Sequence, residues 1–159
     1  MMLISKKHGS TFWALQIPGW FLLIYLIYAQ GIAAFGYDLG VAMGTQEPVE
    51  TVTEVGVAFW YGFAFSDLLT YIPILLTGLI GHLRAKQWGR IWMAAALGIT
   101  VYWPIVCLAA LVDARGAPGW NIAGETPYWV VLSIIAAWGA WGLFAVSRMP
   151  QPVNQPGRE

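Results

Sequence analysis

The sequence is poor in charge. Only 10% of its 159 residues are charged and 58% are hydrophobic, whereas about 25% of an ordinary soluble domain is charged. The formal net charge is zero, which favours neither nucleic-acid binding nor a polybasic lipid anchor. We therefore expect a membrane protein whose surface faces mostly the lipid bilayer, with no nucleic acid among its partners.

Cysteine and histidine are also scarce, which limits the chemistry that the chain can perform. The single cysteine, Cys107, excludes an internal disulfide bond. The two histidines, His8 and His82, flank apolar runs, so a haem held by two histidines inside a helix bundle has no ligands there. The sequence shows no metal-ligand cluster, phosphate-binding glycine loop or nucleophile paired with a base. We expect no metal and no cofactor, and an intramembrane enzyme is the least favoured hypothesis.

Four apolar stretches are each long enough to cross about 30 Å of hydrocarbon, which takes roughly 20 helical residues. The runs are continuous rather than alternating, and a chain in lipid must satisfy its own backbone, so we predict helices. The predicted fold is an all-α bundle of four transmembrane helices in residues 1–148, followed by a disordered cytoplasmic tail at 149–159. The predicted spans are Phe12–Phe35, Val57–Gly81, Ile91–Val112 and Tyr128–Ser147.

The distribution of Lys and Arg predicts the orientation. Seven of the eight basic residues precede the first span, lie between the second and third, or follow the fourth; only Arg115 lies on the other side. The positive-inside bias therefore predicts that both termini and the middle loop are cytoplasmic, and we expect the plasma (inner) membrane. The N-terminal segment also loosely resembles a signal peptide, but its apolar run is long and Gln30 stands where a cleavage motif needs small residues.

The segment 36–56, between the first two spans, has two interpretations. Gly36, Gly40 and Gly44 are four residues apart and would share one helical face, which allows another helix to approach closely. Pro48 is tolerated in the first turn of a helix. These features favour a helical hairpin that turns near Glu47, and an irregular acidic loop is the alternative.

Asp67 is the one acid predicted near the bilayer midplane. An ionised Asp there costs roughly 2.5–3.5 kcal/mol on insertion scales, so we expect it to face the bundle interior with a hydrogen-bond partner or to keep its proton. Pro73 lacks an amide proton, which leaves the carbonyl of Leu69 without its usual partner and predicts a kink. A buried acid beside a kink indicates a functional site; a structural tie between two helices is the alternative.

Aromatic residues are predicted at the same depth as Asp67. Counting from the outer ends of the spans gives a candidate ligand site that consists of Asp67, Tyr71, Tyr25, Tyr102, Trp103 and Trp138. Aromatic faces attract cations, and buried Tyr and Trp side chains need hydrogen-bond partners. For each ring, simple packing against small residues is the alternative.

Two functions remain open. The first is binding or transport of a small lipophilic or cationic molecule at a site centred on Asp67, and transport would need a homodimer because four helices enclose little volume. The second is a structural or accessory subunit that packs against a larger membrane-protein partner. In outline the chain resembles small multidrug exporters and emopamil-binding-type membrane proteins; no motif of either group is matched position by position, so no residue role carries over.

Reporter fusions test the predicted topology. Fusions at the N-terminus, at Ala85 and after Pro150 should report the cytoplasm, because the Lys and Arg residues lie there, and a fusion at Gln46 should report the opposite side. If the N-terminus and Ala85 report opposite sides, an odd number of spans separates them and the four-span topology is wrong.

Overall fold

The computed structural model describes residues 9–149, and the described residues form helices and no strand. Four of the helices are long and apolar enough to cross a membrane, as the sequence predicts. The predicted tail at 149–159 lies outside the described residues, apart from Met149. The helices are α1 Ser10–Phe35, α2 Tyr37–Ala42, α3 Val49–Leu83, α4 Gln87–Asp113 and α5 Thr126–Ser147.

The bundle has two ends. The hairpin end holds residues 36–48 and 114–125. The second of these segments meets the start of α3, where the backbone amide of Asn121 donates to the carbonyl of Thr51 at 2.8 Å. The terminus end holds the start of α1, the turn at 84–86 and the end of α5. The four long helices therefore alternate in direction.

The closest packing joins α3 to α4 near the terminus end. A Cβ built on Gly81 would lie 2.3 Å from the Cα of Gly89, and one built on Gly78 would lie 2.8 Å from the amide nitrogen of Met93. The two backbones touch here because Gly78, Gly81 and Gly89 carry no side chains. Small residues at the contact are the usual means by which apolar helices pack tightly. α4 thereby becomes the central helix, with α3 on one side and α5 on the other.

α1 packs against α3 and meets α5 chiefly near the terminus end. There the indole N–H of Trp138 donates to the carbonyl of Ala14 at 3.0 Å, and a Cβ on Gly142 would lie 3.0 Å from Leu15. Further along, the two helices separate and leave an apolar groove of about 500 Å³, lined by residues of α1 from Ile17 and of α5 to Trp138.

α1 and α3 each contain one π-helical segment, Ile27–Gly31 and Asp67–Tyr71, and the two segments lie side by side. In the second, the amide of Ile72 donates to the carbonyl of Asp67, five residues back. The irregularity expected at Pro73 is thus a widened turn just before the proline, and α3 continues through it. Short π segments inside α-helices are frequent at functional sites.

The segment 36–56 is helical in part. α2 and the start of α3 are helical, as the hairpin interpretation expects, and Gly44 turns the chain between them with φ 70°. The backbone is extended at Gly36, so α1 ends there instead of continuing as one long helix. Thr53, with φ 67° and ψ 168°, interrupts the helical backbone geometry between the start of α3 and the rest of this helix. A β-branched residue is strained at positive φ.

An ion pair joins the loop at the hairpin end to the residue that precedes α5. The Arg115 guanidinium donates to Glu125 just before α5, with Nε 2.9 Å from Oε1. These hydrogen bonds lower the pKa of Glu125 to about 2. Because the pair is exposed, its role is to position the loop, and we assign it little stability.

Two glycine substitutions in α4 test the backbone contact. Gly89→Ala should lower the stability of the purified protein by about 1–3 kcal/mol, because the new methyl group meets the backbone of Gly81. Gly98→Ala is the matched control, since no atom lies within 4 Å of its Cβ position. It should leave stability unchanged or raise it by up to about 1 kcal/mol through helix propensity. Thermal unfolding in detergent measures both, and equal melting temperatures for the two variants would contradict the close approach.

Candidate ligand-binding site

Asp67 begins the π segment of α3 and faces the interior of the bundle, with only 6% of its surface exposed. It lies within electrostatic reach of Tyr71 on the same helix and of Cys107 on α4. In residues 9–149, no group donates a hydrogen bond to its carboxyl group. The inward direction agrees with the sequence expectation, but the expected hydrogen-bond partner is missing from this part of the chain.

A chain of hydroxyl groups explains why Tyr71 donates no hydrogen bond to Asp67. The side chain of Thr100 donates its only proton to the carbonyl of Ala96 at 2.8 Å. The Tyr71 hydroxyl, which lies 2.5 Å from the same Thr100 oxygen, must therefore be the donor in that pair. Its one proton is used there, so Tyr71 has none left for Asp67.

Three buried indole N–H groups have no acceptor within hydrogen-bond distance among the described residues: those of Trp60 on α3, Trp103 on α4 and Trp120 in the loop before α5. Trp103 is 8% exposed, stands one helical turn from Cys107 and lies close to the Tyr71 hydroxyl. A buried donor without an acceptor costs about 1–3 kcal/mol. The indole nitrogens are themselves buried, so these groups mark an incompletely paired region and are not open to a further molecule.

A cavity of about 240 Å³ lies beside these groups, toward the hairpin end. Every long helix contributes to its wall, and so does the turn between α2 and α3. Cys107 lines the cavity and lies within electrostatic reach of Asp67, which is not among the lining residues. The aromatic lining consists of Tyr25, Trp60, Trp103 and Tyr128, and Glu47 supplies a carboxylate.

The cavity is electrostatically negative on its hairpin side. Glu47 is the one charged residue among the described lining residues. The Tyr128 hydroxyl donates to its Oε1 atom, and the Tyr37 hydroxyl donates to its backbone carbonyl at 2.9 Å. Burial, together with the negative charge of Glu47, raises the pKa of Tyr37 to about 12. A carboxylate beside four aromatic rings favours a positively charged guest.

The structure brings together three of the six predicted site residues: Asp67, Tyr71 and Trp103. Tyr25 lies in the cavity wall, which Trp103 also lines. Tyr102 is 65% exposed and faces away, because consecutive helical residues diverge by about 100° and its neighbour Trp103 points inward. Trp138 lines the groove and donates to Ala14. Residues that were predicted at the same depth along the bundle therefore do not all face the same site.

Three residues of the cavity wall were missed from the sequence: Glu47, Trp60 and Tyr128. Trp60 precedes Asp67 by seven residues, which is two helical turns. This spacing places both residues on the same helical face and could have predicted Trp60 as a site residue. No local sequence pattern predicts Glu47 or Tyr128, because their hydrogen bond joins the turn after α2 to the start of α5 and depends on the tertiary fold.

A second polar cluster near the terminus end was also missed. The Gln16 amide donates to the carbonyl of Leu79 at 3.1 Å and lies 2.9 Å from Nδ1 of His82. Trp20 donates to the Gln16 oxygen at 2.9 Å. His82, one residue before the end of α3, is buried and stacks on the ring of Phe12 in α1. The four-residue spacing of Gln16 and Trp20 was the available signal.

The fold defines the class of the protein: an all-helical chain with four helices long and apolar enough to cross a membrane. Comparisons with protein-family models, with curated proteins and with solved structures found no match. Across residues 9–149, no three His, Cys, Asp or Glu side chains lie close enough together to hold a metal ion.

Two tyrosine variants test this placement of the predicted site residues. Tyr71→Phe should lower the stability of the protein by about 1 kcal/mol, because it removes the hydrogen bond to Thr100. Tyr102→Phe removes the same hydroxyl from an exposed ring and should have no effect. Thermal unfolding of both variants in the same detergent is the measurement. A larger loss from Tyr102→Phe than from Tyr71→Phe would contradict the inward position of Tyr71.

Proposed function

We propose that this chain is an integral membrane protein that binds a small organic cation in the cavity at the hairpin end. The observation that carries the proposal is the composition of the cavity wall. It combines four aromatic rings with one carboxylate, that of Glu47.

Each part of such a ligand has a counterpart in the wall. A quaternary or protonated amine is attracted to aromatic faces by about 0.5–2 kcal/mol per good contact, and Glu47 adds the opposite charge. The volume of about 240 Å³ is slightly below the roughly 300 Å³ at which ligand sites usually begin, so it suits a small head group.

Asp67 has an indirect role in this proposal. It touches no ligand, but it lies behind Cys107, which lines the cavity. A cation in the cavity would favour the ionised form of a nearby carboxyl group, so Asp67 could release its proton when the ligand binds. The field of Asp67 reaches the ligand from further away than that of Glu47, and its contribution should be the smaller one.

The distribution of Lys and Arg supports an orientation for the site. With both termini in the cytoplasm, the hairpin end faces the opposite side of the membrane, and so does the cavity. We assign the protein to the plasma (inner) membrane on the same reasoning. A homodimer would be needed for the ligand to cross, because one bundle of four helices is too small to enclose a path.

Butyrylcholine tests the proposal, since it combines a quaternary ammonium group with an ester. Its neutral isostere, 3,3-dimethylbutyl butanoate, has nearly the same shape without the charge. The protein in lipid nanodiscs should bind butyrylcholine more tightly than the isostere. Glu47→Gln should weaken butyrylcholine binding about tenfold, equivalent to 1.4 kcal/mol, and leave the isostere unchanged. Isothermal calorimetry or the change in Trp fluorescence measures binding.

Two further variants complete the experiment. Glu50→Gln removes an exposed charge from the same end of the bundle without touching the cavity, so it should have no effect. Asp67→Asn should fold normally and weaken butyrylcholine binding less than Glu47→Gln does. If the wild-type protein binds neither compound, or if Glu50→Gln and Glu47→Gln act equally, the cavity is not a cation site.

A further inference from the structure

The groove between α1 and α5 adjoins the cavity. Tyr25 and Val131 line both spaces, so these two side chains form the boundary that the apolar groove shares with the aromatic and acidic site. The groove is lined almost wholly by apolar atoms, among them those of Phe21 on α1 and Ile134 on α5. A molecule that filled both spaces would have one apolar end and one polar, positively charged end.

The groove has a definite length. It ends toward the terminus end at Trp138, whose hydrogen bond to Ala14 joins α5 to α1. From Ile17 to Tyr25, α1 covers about 12 Å at 1.5 Å per residue, which matches an extended chain of roughly ten carbon atoms. The space is therefore long enough for a medium-length hydrocarbon chain that lies parallel to the helices.

The hairpin end of the cavity is covered by the turn after α2. The Gln46 amide donates to the carbonyl of Ala29 at 3.3 Å and to the side chain of Gln30 at 3.4 Å. Glu47 is joined to Tyr128 on the other side. The turn thus bridges α1 and α5 above the cavity, whereas Phe21 and Ile134 of the groove are 70% and 63% exposed at the surface of the bundle.

We propose, on the basis of the proposed function, that the ligand is a single-chain cationic amphiphile that enters sideways from the lipid. Its charged head occupies the cavity beside Glu47, and its hydrocarbon chain lies in the groove between α1 and α5. Charge complementarity with Glu47 fixes the position of the head, and the groove that adjoins the cavity at Tyr25 and Val131 fixes the direction of the chain. The groove is thereby assigned to the chain of the same ligand rather than to bulk lipid.

Acylcholines of two lengths test this inference. Butyrylcholine fills the cavity alone, whereas decanoylcholine has the same head and ester and a chain long enough for the groove. Ile134→Trp places a large side chain in the groove without touching the cavity wall, at a residue that is 63% exposed and tolerant of change. Ile17→Trp does the same from the α1 side. Ile105→Trp, at an exposed position of α4 outside both spaces, is the control.

Both ligands are measured on every variant in nanodiscs of one lipid composition, so partitioning into the bilayer cancels when a variant is compared with the wild type. Ile134→Trp and Ile17→Trp should weaken decanoylcholine binding about tenfold and change butyrylcholine binding by less than about twofold. Ile105→Trp should change neither. If the groove variants leave decanoylcholine binding unchanged, or weaken both ligands equally, the chain does not lie in the groove and the inference is wrong, while the head-group site stands. If the wild-type protein binds neither acylcholine, the proposed function itself fails.

Discussion

A polar group without a partner is expensive in apolar surroundings, and this constraint organises the whole structure. It requires the backbone of each apolar stretch to form its own hydrogen bonds, which makes helices of all four. The same constraint pairs the buried side chains that link helices. Gln16 is held by Trp20 and the carbonyl of Leu79, and Tyr71 is held by Thr100. These interactions tie α1 and α4 to α3 at two different levels.

Most exceptions to this pairing among the described residues lie at or near the candidate site. The indole N–H groups of Trp60, Trp103 and Trp120 have no acceptor; Trp60 and Trp103 line the cavity, and Trp120 does not. Asp67 begins the π segment, where the backbone of α3 departs from regular geometry, and it lies within electrostatic reach of Cys107 in the cavity wall. Unpaired groups gathered around one cavity favour its interpretation as the candidate site.

The cavity and the groove are consequences of uneven packing. Glycines let α3 and α4 approach until their backbones touch, and α5 follows α4. α1 is held by α3 instead, so α1 and α5 are in contact near Ala14 and Trp138 and diverge beyond. The turn after α2 covers the space that results at the hairpin end. A site with aromatic walls thus arises from the position of a few small residues in other helices.

The sequence by itself predicted four long apolar helices, their approximate limits and the position of Asp67 in the second. Length and hydropathy are enough for this, because lipid accepts any sufficiently long apolar helix. It also placed an irregularity near Pro73, where an amide proton is missing. It did not determine which residues face one another. Tyr102 and Trp103 are neighbours with opposite orientations, and Glu47 meets Tyr128 across 81 residues.

Only the tertiary structure decided the inward faces, and the reason is physical. In a soluble helix an apolar stripe marks the buried side, but these helices are apolar on nearly every side. Lipid tails are as apolar as the neighbouring helices, so hydrophobicity does not distinguish the two environments. Close contact between small residues such as Gly81 and Gly89, and the pairing of a few polar side chains, set the rotation of each helix about its axis. That rotation decides whether an aromatic ring at a given depth faces the cavity or the lipid.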